Sequence, residues 1–223
     1  MVTVNLATYP ARKDSLIKVL NNLVDMPLDI IRVYLNQYTN LIGLPEHVKI
    51  HYRMGPDIKD SGKFFWAESS NEIYFTLDDD LIYSKEFFIN HLTLLKQNPN
   101  YFISSHGKVF LPRSVNIYNT VRPICHCLKN NPSHRKVNCL GTGAMVFNSS
   151  IHKIPMSLFK YHGMADMWIA KYCQQRNITM ICRKHSEREL RLTEPDNQDT
   201  LWNKKDLLAD QHKEILSSII WKV

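Results

Sequence analysis

Three adjacent aspartates, Asp78-Asp79-Asp80, follow the apolar run Glu72 to Leu77 (EIYFTL). Carboxylates held that close repel one another unless a cation or bound donors offset the charge. A divalent ion coordinated by oxygen does this directly. The competing account is an acidic turn or a helix-capping cluster, because Asp favours the residues before a helix and Ser84, a good N-cap, follows closely. A run of three exceeds what capping needs.

The elements around the triplet alternate. Val2 to Ala7 reads as a strand that breaks at Thr8-Tyr9-Pro10, before an amphipathic helix with Leu16, Leu20 and Leu23 on one face. Strands follow over Asp29 to Leu35 and Val48 to Tyr52, then a helix over Ser61 to Ser70, then the strand that ends at the aspartates. Ser84 caps a helix carrying Phe88, His91, Leu92 and Leu95, which Asn98-Pro99-Asn100 stops, and Tyr101 to Ser105 is a further strand. Pro112 to Asn138 loses periodicity and reads as a long irregular insertion, a kind of segment that is functional or disordered. AMVF after Gly141-Thr142-Gly143 is a strand, Asp166 opens a helix, Ile178 to Cys182 is the last strand, and a final helix spans about Leu201 to Ile220. This order predicts an α/β fold with a mainly parallel, twisted sheet covered by helices on both faces, and ligands at the C-terminal strand edges. Thr8, Asn36, Asp78 to Asp80 and His185 then fall near one rim. Residues 1–190 read as the domain, and 191–223 as a tail whose helix packs on it or leads to a further segment.

With TLDDDLIY at a strand end, the chain resembles the GT-A glycosyltransferases, especially short family 2-like members, whose hallmark is a DxD motif. In its length and compact N-terminal half it is also similar to glycosyltransferase domains of large algal viruses that decorate capsid glycans. The resemblance implies a Rossmann-like GT-A fold and transfer of a hexose from a nucleotide diphosphate sugar, UDP-linked, to a glycan hydroxyl. It implies Mn²⁺ or Mg²⁺ as cofactor, with Asp80 and Asp78 as ligands, Asp78 also touching the nucleotide and Asp79 beside them. Thr8 and Tyr9 of the loop ATYPAR would lie against the base, Arg12 would reach a phosphate, Asn36 and Asp57 would meet the base edge, and Lys63 would approach the phosphates. Gly141 and Gly143 would let the backbone lie under the donor sugar. Asp166, in GMADMWIAKY, would be the general base of an inverting transfer, although Ala165 stands where the family's Glu-Asp pair has its acid. Helix capping is the alternative for Asp166. His185 would be a late metal ligand.

The 223 residues suit one substantial domain, and 44% hydrophobic with 22% charged residues exclude a disordered chain. No apolar run approaches the roughly 20 residues of a membrane span, and MVTVNLATYPARK lacks a signal peptide's pattern, so a cytoplasmic protein is expected, in the host cytoplasm if viral. Five cysteines suit reduced thiols. Cys125-His126-Cys127 with Cys139 matches no usual zinc spacing and lacks an obvious fourth ligand. The net charge of +7 favours anionic partners, and between Glu86 and Asp166 there is no Asp or Glu. Nucleic acid is one such partner, and a sugar nucleotidyltransferase is a related enzyme class. No glycine-rich phosphate loop follows the first strand, and basic surface around an acidic strand end fits phosphate ligands better than nucleic acid.

Overall fold

A computed structural model describes residues 1–113, 125–194 and 209–223. Strand β1 (Val2–Thr8) is buried from Thr3 onward and feeds a single 3₁₀ turn, Pro10–Arg12, then helix α1 (Lys13–Leu23), which buries Leu16, Val19, Leu20 and Leu23. Strands β2 (Ile30–Asn36), β3 (Ile50–Gly55) and β4 (Ile73–Leu77) follow. Beyond the aspartates come β5 (Leu81–Tyr83), α2 (Lys85–Gln97), β6 (Phe102–Ser104) and β7 (Gly107–Lys108). The chain continues through β8 (Arg135–Val137), β9 (Cys139–Leu140), β10 (Ala144–Asn148), α3 (Ala165–Gln175), β11 (Met180–Cys182), β12 (Leu190–Leu192) and α4 (Ala209–Ser217).

Eight strands form the main sheet, in the order β3-β2-β1-β4-β10-β6-β11-β8. β3, β2, β1 and β4 pair in parallel, β10 runs antiparallel to both β4 and β6, β11 is parallel to β6, and β8 is antiparallel to β11. Six strands therefore point one way, with β10 and β8 reversed. Alternation along the strands divides two apolar layers. Tyr74, Phe102, Met145 and Phe147 face the side holding α3 and α4, whereas Phe75, Leu77, Ile103 and Val146 face α1 and α2. Burial on both faces is why the strands read as unbroken apolar runs. Phe102 stacks on Phe147 at 4.7 Å, and Phe75 meets Phe88 edge-on at 5.3 Å.

The order around β1 positions the site. The chain leaves β1 toward β2 and β3 on one side and returns to β4 on the other, so the strand order reverses beside β1. A crevice at the carboxyl ends of such strands is where open α/β sheets bind ligands. Thr8 ends β1 there and Asp78 to Asp80 follow β4.

Two expectations change. The helix over Ser61 to Ser70 is a 3₁₀ helix, Lys59–Phe64, followed by turns. Gly62 lies so close to β1 and β2 that a Cβ would sit 2.7 Å from the Tyr34 ring, and Phe64, Phe65 and Trp66 go separate ways, onto Phe159, Tyr34 and Arg32. Within Pro112 to Asn138, residues 114–124 lie outside the described residues, but β8 forms a sheet edge and Asn131 bridges His185. The boundary at 190 falls in β12, which pairs with β5, while Thr193 N–H donates to the Asp80 carbonyl. Of the tail's expected helix, residues 201–208 lie outside the described residues; α4 packs on α3, and Trp221 is fully buried against Phe110. Among the described residues no helix is long and apolar enough to cross a membrane.

Candidate functional site

The triplet does not cap α2. β5 stands between them, and Ser84 Oγ accepts from Phe87 N–H as the cap. The turn is pinned by Tyr83, fully buried, whose hydroxyl accepts from Asp78 N–H at 2.8 Å and donates to the Gly143 carbonyl at 2.7 Å. Gly143 also accepts from Asp78 N–H.

Two cations answer the three carboxylates. Arg12 forks across two different residues, Nη1 to Asp79 Oδ1 at 2.7 Å and Nη2 to Asp80 Oδ2 at 2.6 Å. The buried Lys63 ammonium pairs with Asp78 Oδ1. Asp80 has a further interaction beyond these pairs. Asp78 keeps 40% of its side-chain surface open, while Asp80 keeps 13% and Asp79 4%. Burial alone would raise the Asp78 carboxyl, but Lys63, with Arg12 and His106 behind it, overrides that and holds it below the usual range. Burial pushes Asp79 up to about 6 against the pull of Arg12. Asp80 is raised by burial and by Asp78. Asp79 Oδ2 and Thr8 Oγ1 are buried with no hydrogen-bond partner among the described residues.

The opposite wall is the Gly141-Thr142-Gly143 loop, which β10's reversed direction delivers to the end of β4. A Cβ on Gly143 would lie 1.8 Å from Asp78 Oδ2, and one on Gly141 would lie 2.9 Å from the Cβ of His106. The close approach that these glycines permit is thus to the protein's own Asp78 and His106. Thr142 donates from both its N–H, at 2.8 Å, and its hydroxyl, at 2.6 Å, to Asp166 Oδ1. Asp166 sits in the first turn of α3 without capping it. The N–H groups at the start of that helix go instead to the half-buried Asp60, whose carboxylate accepts from Gly163 and Ala165 N–H, each at 2.8 Å. Asp166 is freed from backbone duty at its own helix end.

The other expected residues divide. Asn36 is buried at the rim and ties loops together: its amide donates to the Thr8 and Lys59 carbonyls and its oxygen accepts from Ile58 N–H. Asp57 is exposed, accepting from Gln37 Nε2 and Lys59 N–H. Tyr9 is half-buried and leads the 3₁₀ turn that presents Arg12. His185 is turned away from the aspartates, its ring nitrogens facing the carbonyls of Arg183, at 2.8 Å, and His126, at 3.2 Å. The histidine that reaches the acidic end is His106, two residues past β6, whose charge state Asp166 and Asp78 both influence. Tyr83, Thr142, Asp60 and His106 are the site residues that sequence reasoning missed. Only Tyr83 had a signal, a phenol in an apolar run that needs a polar partner when buried. The chain matches no protein-family model, and no curated protein matches it.

Proposed function

We propose that the chain is a metal-dependent glycosyltransferase of the GT-A type, moving a hexose from a nucleoside diphosphate donor, UDP-linked, to a carbohydrate hydroxyl with inversion, in the cytoplasm. One observation carries this: the strand-end carboxylates Asp78 to Asp80 lie across the Thr142-Gly143 loop from a fourth carboxylate, Asp166, whose Oδ1 that loop holds.

The donor set fits a hard divalent cation, since Asp78 and Asp80 offer carboxylate oxygens at the rim. When bound there, the ion supplies positive charge for the departing diphosphate. It would also add two positive charges at the rim, an attractive seat for an anionic donor. Arg12 clamps Asp79 to Asp80 and Lys63 holds Asp78, and Asn36 fixes the loops around the nucleotide. Thr142 anchors Asp166 by Oδ1, and among the described residues nothing donates to Oδ2. Oδ2 takes the acceptor hydroxyl's proton as that oxygen bonds to the anomeric carbon and the bond from that carbon to the diphosphate breaks.

Thermal shift against a panel of nucleotide sugars, with and without Mn²⁺, tests the proposal, because a ligand of the native state raises Tm by mass action. A UDP-hexose should raise Tm only with the metal. No metal-dependent shift with any donor overturns the proposal.

A further inference from the structure

Beside the carboxylates lies a second group of ligands with different chemistry. His106, His126 and Cys127 each bring one nitrogen or sulfur to within 4.8 Å of the other two. The two imidazole rings meet edge to face at 5.3 Å. His106 is held by the close packing of Gly141 and makes no side-chain hydrogen bond among the described residues. Cys127 is half-buried and His126 exposed, so the group is open from one side.

From this geometry we infer that His106, His126 and Cys127 form a site for a borderline-soft divalent ion, Zn²⁺ by preference, with three protein ligands and the fourth position open to water or a bound molecule. Two imidazoles and a thiolate are the donors that select zinc over magnesium or manganese. Tetrahedral coordination with Zn–N of about 2.0–2.1 Å and Zn–S of about 2.3 Å sets neighbouring ligands roughly 3.3–3.6 Å apart. Closing the trio around an ion therefore needs side-chain movement on the order of 1 Å. His126 must also release Leu128 N–H, which donates to its Nδ1 at 3.2 Å; this N–H is exposed and can turn to water. Binding takes the imidazoles neutral and the sulfur as thiolate, so it releases the Cys127 proton. The spacing of residues 106 and 126–127 matches no contiguous zinc motif because the ligands come from a strand end and from a separate loop.

This site stands whether or not the chain transfers a sugar. The test is a titration of the reduced, chelator-treated full chain with Co²⁺, without nucleotide, monitoring the thiolate-to-cobalt charge-transfer absorption. One equivalent should produce the band, Zn²⁺ should abolish it, Cys127→Ser should lack it, and His106→Gln should weaken Co²⁺ binding at least tenfold. Asp80→Asn should keep the band while losing metal-dependent donor binding, which separates failure here from failure of the proposed transfer. Absence of the band in the wild-type chain, or its survival in Cys127→Ser, overturns the site. Since Cys127→Ser changes one atom in a half-buried side chain, an unchanged apo Tm shows that loss of the band is not loss of fold.

Discussion

Two of the buried clusters of charge among the described residues are arranged differently. Beside α2, Arg183 pairs with Glu189, donates from Nε to His91 Nδ1 at 3.0 Å and from Nη1 to the Lys184 carbonyl at 2.7 Å. One cation meets one carboxylate, and His91 is kept neutral by burial and by Arg183. At the rim, two cations meet three carboxylates, and the least covered of the three, Asp78, is open to solvent. The balanced cluster holds β11 to α2 and needs nothing further. The rim cluster is clamped by Arg12 and Lys63, and its most open carboxylate, Asp78, faces where a ligand can reach it.

The largest difference should appear on removing a single charge beside each, from Asp166 across the loop from the rim and from Glu189 in the other. Asp166→Asn keeps the oxygen that Thr142 donates to and deletes the base, so turnover should fall by about 10²–10⁴-fold while Tm and donor binding hold. Wild-type rates in this variant would return Asp166 to a structural role. At the balanced cluster Glu189→Gln should do the reverse. It leaves Arg183 buried without its anion, which costs about 3–5 kcal/mol in denaturant unfolding, with donor affinity unchanged in the protein that remains folded. A loss under about 1 kcal/mol would show that Arg183 finds water instead.

The two clusters were also unequally visible in the sequence. Asp78 to Asp80 are adjacent and follow a buried apolar strand, so type and place coincide, and β1, β2 and β4 were legible for the same reason. Glu189 and Arg183 lie in a stretch of mixed charge, RKHSERE, with no apolar run to place them. β8 was hidden because Arg-Lys-Val at an edge pairs with only one neighbour and carries no apolar run. β12 owes its existence to β5, more than a hundred residues earlier. Asp166 invited a capping role by its position, yet Asp60, equally distant in the chain, takes those N–H groups. Local propensity cannot see such partners, and His106 had no local signal at all.

A pH titration of stability sharpens the contrast within the rim. Asp79 is ionised above about 3.8 in the unfolded chain but only above about 6 when folded. The folded state thus binds the proton more tightly, and this group's stabilising contribution is complete below about 3.8 and lost as pH rises through 6. A shift of that size corresponds to roughly 3 kcal/mol. A side-chain amide does not titrate, so Asp79→Asn should gain up to that amount relative to wild type between pH 4 and pH 7 in paired unfolding curves. A flat difference would mean that Arg12 outweighs burial.

Gly143→Ala is the smallest intervention. The new methyl cannot share space with Asp78 Oδ2, 1.8 Å away, but the carboxylate is at the mobile end of a partly open side chain. It can rotate off Lys63 at modest cost, so the variant should fold. What it loses is the placement of one metal-holding oxygen, so metal-dependent donor affinity should drop about tenfold, near 1.4 kcal/mol, with metal-free behaviour unaltered. The same methyl at Gly141 would press on His106, so Gly141→Ala should weaken Co²⁺ binding and spare the donor. If both variants impair both ligands equally, the oxygen and the nitrogen-sulfur sites are one site, and the rim works as a single metal centre.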